Sequence, residues 1–357
     1  MNRKKTRRIY IGSVPIGDGA PIAVQSMTKT DTRDIFKTVR QIKKLEKAGC
    51  EIVRIAIPDM EAAKAIGEIK KRIKIPLIAD IHFNYKLALE AIKQGVDGLR
   101  INPGNIGDRL KVKEVVRAAK ERGIPIRIGV NAGSLPKDLI KKYGSSTSEA
   151  MVEAAERHIE ILEELDFKDI KVSLKASDVL KTIEAYRLFS EKHDYPLHVG
   201  ITETGCPPEG IVKSSIGIGI LLMEGIGDTI RVSLTTSPVT EVEVAYEILR
   251  TLQLRQVGVE VISCPTCGRC EINLKKMVKE VKSAVKKIKK PIKIAVMGCS
   301  VNGPGEAREA DFGIAGGKGQ GIVFVKGEIV KTVKENEIVS ALINEINPEI
   351  ADRHIKK

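Results

Sequence analysis

Short runs of apolar and β-branched residues recur through the first 250 or so positions, each followed by a stretch in which apolar residues return at helical spacing. The runs are 22–26, 52–57, 77–80, 98–102, 126–130, 170–174, 197–201 and 229–234. Their length and their bounding Gly, Pro and Asp residues predict strands. Between them, Val39, Ile42, Leu45 and Ala48, and later Ile159, Leu162 and Leu165, fall on one helical face. Eight such alternations over about 250 residues match the count and length of a (β/α)8 TIM barrel. An open, doubly wound sheet fits the same alternation, but no dinucleotide fingerprint follows any of the strands. The barrel is the expectation.

After Leu254 the pattern changes. Cys264-Pro-Thr-Cys267-Gly-Arg-Cys270 precedes a Lys-rich helix expected over 273–287, with an apolar stripe of Leu274, Met277, Val278, Val281, Val285 and Ile288. A strand at 292–297, a Gly-rich loop, strands at 321–325 and 329–333, and a helix from Glu335 complete a small α+β domain. The expected division is a barrel over 1–256 and a second domain over 264–357, with residues near 257–263 as the hinge. The run Ala315-Gly-Gly-Lys-Gly-Gln-Gly321 has no Ser or Thr after its Gly-Lys pair, so it predicts a tight turn and not a P-loop.

Composition narrows the classes. The 357 residues are 42% hydrophobic, enough for a sizeable core. The longest apolar run, 216–223, is far short of the roughly 18 residues that span a bilayer. The basic N-terminal stretch is not followed by an apolar segment, so a cytoplasmic protein is expected, with no membrane partner. A net charge of +14 attracts nucleic acid, acidic proteins or phosphorylated substrates. With 3% aromatic residues and no Trp, stacking platforms for single strands are hard to build. Much of the Lys alternates with Glu along helices, which reads as solvated surface.

Several strands end in polar residues two apart, hence on one face. These are Asp80 with His82, Arg100 with Asn102, Ser173 with Lys175, and Arg231 with Ser233; Arg54, Arg127, Asn131, Thr202 and Glu203 stand at comparable points. In a (β/α)8 barrel the strand ends share one mouth. Five cations there (Arg54, Arg100, Arg127, Lys175, Arg231) would repel one another unless an anion fills the space. Arg pairs its donors on phosphate, and Lys adds a point charge. A diphosphate-sized ligand is expected. Each residue taken singly also fits a structural ion pair. His82 reads equally as a hydrogen-bonded structural residue, and Glu203 either as a general acid or base or as a counter-ion.

Six cysteines in a chain of this length are no disulfide framework and read as ligands or catalytic groups. Cys264 and Cys267 form a clip, and Cys299 lies in a Gly-rich loop ending at Glu306. Such a set suits zinc or an iron–sulfur cluster. Structural zinc takes a fourth Cys or His, and the last 150 residues hold only His354. By spacing alone Cys270 would be the third ligand, although Cys299 is then redundant. Cys50, on a helix, reads as buried and inert, and Cys206 has no assigned role.

These residues resemble the 4-hydroxy-3-methylbut-2-en-1-yl diphosphate synthase family over nearly the whole chain. The likeness rests on Val24-Gln-Ser-Met-Thr28, Asp80-Ile-His-Phe83, Leu99-Arg-Ile-Asn-Pro-Gly-Asn105, Arg127-Ile-Gly-Val-Asn-Ala-Gly-Ser134, Gly200-Ile-Thr-Glu203 and Glu224-Gly-Ile-Gly-Asp228, which runs on through Arg231 to Thr235. Ser263-Cys-Pro-Thr-Cys-Gly268, Met297-Gly-Cys299 and Val301-Asn-Gly-Pro-Gly-Glu306 complete it. The resemblance implies a barrel that binds 2-C-methyl-D-erythritol 2,4-cyclodiphosphate and a small domain holding a 4Fe–4S cluster on Cys264, Cys267, Cys299 and Glu306, leaving Cys270 a bystander. It further implies reductive ring opening to the linear allylic diphosphate, with Glu306 as a replaceable ligand and Asn302 bonded to substrate. A homodimer with the site shared between subunits, and flavodoxin or ferredoxin as electron donor, follow from the same likeness. The Lys-rich helix face over 275–290 reads either as a solvated surface or as the dock for that donor. Two rival readings are a zinc-stabilised nucleic-acid-binding protein and a barrel transferase on a phosphorylated or pterin-like substrate with a structural metal.

Overall fold

The computed structural model describes residues 2–351 except 271, 287, 300–304, 306 and 318, with the backbone alone at 347–351. It divides into two compact units, Met1–Arg255 and Gln256–Lys357.

The first unit begins with an antiparallel hairpin, β1 (Ile9–Ile11) and β2 (Val14–Ile16). Eight parallel strands follow: β3 (Ala23–Met27), β4 (Ile52–Ala56), β5 (Leu77–Asp80), β6 (Gly98–Ile101), β7 (Ile126–Asn131), β8 (Ile170–Lys175), β9 (His198–Val199) and β10 (Thr229–Ile230). Their order is β8-β7-β6-β5-β4-β3-β10-β9, and a parallel bridge from Val172 to Leu197 joins the two ends into a barrel. The helices start where they do because the loops after the strands supply caps. The side chains of Asp34, Asp59, Asp108 and Asp178 each accept a backbone N–H in the first turn of the next helix. β9 and β10 are shorter than the runs 197–201 and 229–234 suggested. Beyond Ile230 single bonds such as Arg231 N–H to the Val199 carbonyl continue the pairing.

The barrel interior is layered. At its floor, Ala23, Ile52 and Ile78 pack against Ile9, Ile11 and Ile16 of the hairpin, so β1 and β2 plug the end opposite the mouth. This role was not evident from the hydrophobic pattern. Above the plug the inward positions become polar.

The second unit holds a five-stranded sheet, β11 (Val259–Ser263), β12 (Ile292–Met297), β13 (Phe312–Gly317), β14 (Gln320–Val325) and β15 (Glu328–Lys334), in that order. β11, β12 and β13 are parallel, and β13, β14 and β15 are antiparallel. Helices Leu274–Val285 and Ile338–Ala351 contribute Leu274, Met277, Val281, Ile338 and Leu342 to its core. Two expectations are corrected here. The hinge near 257–263 is largely strand β11, held by five residue pairs with β12. The Gly-rich segment before residue 318 contains a full strand, β13, where Gly313 leaves room for the Phe324 ring from the neighbouring strand. The tight turn at the Gly-rich run is the β13–β14 hairpin, closed by the Gly317–Gln320 pair.

Candidate active site

The barrel mouth encloses a cavity of about 220 Å³, lined by the cations Arg54, Arg100, Arg127, Lys175 and Arg231. Asp80, His82, Asn131, Ser173, Thr202 and Ser233 complete the lining. The strand period places them. Arg54, Asp80, Arg100, Arg127 and Lys175 lie on barrel strands, and their inward direction leaves each no more than 9% exposed. Across adjacent strands, Asp80 stands opposite Arg100 and Arg100 opposite Arg127, so one row of charge crosses the wall. Two glycines make room. A Cβ at Gly129 would lie 2.6 Å from Arg100 Nε, and one at Gly200 would lie 2.8 Å from Lys175 Nζ.

Among the described residues, Asp80 is the only carboxylate in the lining. Its oxygens lie 3.3 Å from Arg100 Nη1 and 3.5 Å from Arg54 Nε. Burial alone would raise its carboxyl, but Arg54 and Arg100 outweigh that and hold it below the usual carboxylate range. Arg54 also donates to Met27 Sδ at 3.1 Å, and Arg100 Nη2 donates to the Gly129 carbonyl at 3.1 Å. Among the described residues, nothing partners the buried Nε atoms of Arg127 and Arg231. Burial, then the neighbouring Arg54, lowers Arg231 to about 10, and burial with Arg54 and Arg100 lowers Arg127 strongly. Burial, then Arg127 and Arg231, lowers Lys175 in the same way. Cations that strain against one another around a cavity with unspent donors favour an incoming anion. The volume is below the roughly 300–1,000 Å³ of pockets for drug-sized molecules, which suits a small one.

His82 is half-exposed, 3.0 Å from Arg100 Nη1 through Nε2. Burial and the Arg100 charge lower its pKa, so the neutral ring accepts from Arg100. Glu203 does not line the cavity. It is exposed on the loop after Thr202, with φ at +53°. Asn302 and Glu306 lie outside the described residues.

Reasoning from strand ends missed a lower polar layer: Gln25 on β3, Lys171 on β8 and His198 on β9, all essentially buried. The signal was present. Lys171 continues the two-residue period of Ser173 and Lys175, and His198 shares the parity of Thr202.

In the second unit, Cys264 and Cys267 follow β11 and Cys299 follows β12, two adjacent parallel strands in register at Ser263 and Val296. The thiols therefore leave the same end of the sheet. A Cβ at Gly298 would lie 2.6 Å from Cys270 Sγ and 3.5 Å from Cys264 Sγ, so this backbone forms a cradle against sulfur. The Arg269 backbone N–H, and then its side chain, lower the Cys267 pKa and favour the thiolate that a metal requires. Among the described residues no three Cys, His, Asp or Glu side chains converge as a ligand set. The donor chemistry nevertheless fits thiolate ligation. Cys50 is buried, its thiol pushed up to about 12 by burial, and Cys206 is exposed.

The family model described as the GcpE TIM-barrel domain matches residues 6–246, and that described as the GcpE protein C-terminal domain matches 260–348. A protein of Thermodesulfovibrio yellowstonii named 4-hydroxy-3-methylbut-2-en-1-yl diphosphate synthase (flavodoxin) is 80% identical over 346 residues, 97% of this chain and 99% of its own. Proteins of the same name from Geobacter sulfurreducens and Clostridium tetani are each 59% identical, covering 99% and 97% of this chain and 100% and 99% of their own.

Proposed function

We propose a function from one premise: the chain belongs to the GcpE family. It is a 4-hydroxy-3-methylbut-2-en-1-yl diphosphate synthase, an oxidoreductase of the methylerythritol phosphate route to isoprenoids. The reaction opens the ring of 2-C-methyl-D-erythritol 2,4-cyclodiphosphate, takes up two electrons and releases a hydroxyl as water. The observation that carries this reading at the level of residues is the gathering of five cations and one carboxylate around one small cavity.

Arg54, Arg100, Arg127, Lys175 and Arg231 bind the diphosphate, with paired guanidinium donors setting its orientation. Asn131, Thr202 and Ser233 bond the remaining oxygens, and Asn302 bonds the substrate as well. Neutral His82 fixes the Arg100 guanidinium and meets the substrate at the rim. Glu203, on the loop just outside the cup, delivers the proton with which the hydroxyl leaves. Cys264, Cys267, Cys299 and Glu306 would hold a 4Fe–4S cluster, which when bound supplies the two electrons one at a time.

Flavodoxin, named in the relatives, serves as electron donor; ferredoxin is the other candidate, and the Lys-rich face over 275–290 suits either acidic partner. A homodimer with the site shared between subunits is supported by exposed apolar side chains. Phe36, Phe83, Leu110 and Leu180 stand at the loops and first helical turns that follow strands, on the mouth side. Val212, Ile216 and Met223 stand exposed on helix Glu209–Met223. No helix among the described residues is long and apolar enough to cross a membrane, and cytoplasmic placement is part of the proposal. The relatives' names favour this enzyme over a zinc-stabilised nucleic-acid-binding protein. The test is turnover of the cyclic diphosphate by anaerobically purified protein with reduced flavodoxin. Zinc in place of iron, or no turnover by iron-loaded protein, would overturn the reading.

A further inference from the structure

The row of charge on the barrel wall does not stop at the cup. Asp80 stands opposite Arg100, Arg100 opposite Arg127, and Arg127 opposite Lys171, across four neighbouring strands. Lys171 lies below the cup lining, 1% exposed, and among the described residues its Nζ has no hydrogen-bond partner. Among the described residues, both amide atoms of Gln25, Nε2 of His198 and Nε of Arg127 are also buried without partners. The apolar plug formed with the hairpin closes the floor beneath.

A buried lysine is neutral unless a negative group compensates it. The groups that act on Lys171 are Arg127 on β7, Arg54 on β4, Lys175 on its own strand, His198 on β9 and Asp228 before β10. Asp228 is the single anion among them, and it is engaged by Arg3, Thr6 and the Leu197 N–H. Burial, followed by Arg127, pushes the Lys171 pKa far down. A diphosphate in the cup reverses the sign of the field from above.

We propose that Lys171 is a buried proton acceptor linked to the cup: neutral while the cup holds no anion and protonated when a diphosphate enters. This rests on the reading of the cup as a diphosphate site. Bulk solvent supplies the proton, which adds to the amine lone pair; no bond to the substrate forms. The complex then holds more protons than the free protein, so anion affinity falls as pH rises toward the ordinary lysine value. Lys171 acts as a positioning residue that completes the countercharge without touching the ligand.

The test is calorimetry of the iron-loaded protein with the cyclic diphosphate, and separately with inorganic pyrophosphate, at about pH 8 in HEPES and in Tris. Buffers of different ionisation enthalpy report the protons exchanged on binding. Uptake by the wild type, reduced by about one proton in Lys171→Met with binding retained, is the expected result. His198→Gln reads the neighbouring base: uptake lost there and kept in Lys171→Met would overturn the proposal. Binding with no proton uptake in the wild type overturns it while leaving the cup intact, and needs no variant to fold. Binding of neither ligand overturns the cup and this proposal together.

Discussion

Arg100 reaches the Asp80 carboxylate at 3.3 Å inside a cavity whose other charged side chains are cations. The pair does more than neutralise. Asp80 ties two guanidinium groups, Arg54 and Arg100, to one point on the cavity wall. One carboxylate among five cations leaves the cup with a net positive charge that only a ligand can offset.

Replacing that carboxylate therefore strands two buried cations. Asp80→Asn is expected to lower stability by about 3 kcal/mol, in the range for breaking a buried pair. Thermal unfolding should recover part of the loss in the presence of pyrophosphate, because the anion supplies the missing charge. Equal stability of variant and wild type without ligand would show that Arg54 and Arg100 need no internal partner.

Among the described residues Arg231 finds no partner for its buried Nε, while the ion pairs of Asp80 go to Arg54, Arg100 and His82. Arg231→Ala should weaken the cyclic diphosphate by roughly a hundredfold, or about 3 kcal/mol, while the visible spectrum of the protein stays unchanged. Titration calorimetry measures it. An unchanged dissociation constant would remove Arg231 from the anion site.

The cysteines separate by colour. Cys264→Ser, Cys267→Ser or Cys299→Ser should bleach anaerobically purified protein, whereas Cys270→Ser should not. Gly298→Ala drives a methyl group against Cys270 Sγ and should lower iron content. Cys270→Ala in the same chain removes the clash and should restore it. Iron analysis with an electronic spectrum reads every arm, and bleaching by Cys270→Ser would change the assigned ligands.

His158 gives a pH dependence away from the site. Its Nδ1 accepts the Gly104 N–H at 3.2 Å, and burial, then Arg157, pushes its pKa down to about 4. The unfolded chain, with a histidine near 6.5, binds the proton first, so stability is full above that value and declines as pH falls from about 6.5 to about 4. The loss is about 3 kcal/mol. Urea unfolding at pH 7 and 4.5 should show a smaller difference in His158→Gln, whose amide oxygen can still accept from Gly104. An equal difference would place the acid sensitivity elsewhere.

A charge on the apolar stripe of helix Glu209–Met223 tests the subunit interface. Ile216→Glu should shift the protein from dimer to monomer in analytical ultracentrifugation while leaving its unfolding temperature little changed, since Ile216 is 48% exposed. A dimer that persists would move the interface to another face.

What the chain determined alone is what depends on period. Strand and helix alternation announced the barrel, because a strand buried on both faces must be apolar where helices cover it and carries its polar residues on the inward face toward the mouth. The two-residue step brought Arg54, Arg100, Arg127, Lys175 and Arg231 onto one inward face, and the structure gathers them at one cavity. Other features needed the tertiary structure because they depend on what lies opposite. Lys171 and His198 carry the inward parity in sequence, but only the closed ring buries them beneath the cup, and the hairpin Ile9–Ile16 becomes a plug only when a barrel floor exists to receive it. Residues 259–263 carry too little apolar alternation to separate a linker from an edge strand; the ladder with β12 decides that. Period is local and survives in sequence, whereas burial, charge proximity and strand partnership arise only between residues far apart in the chain.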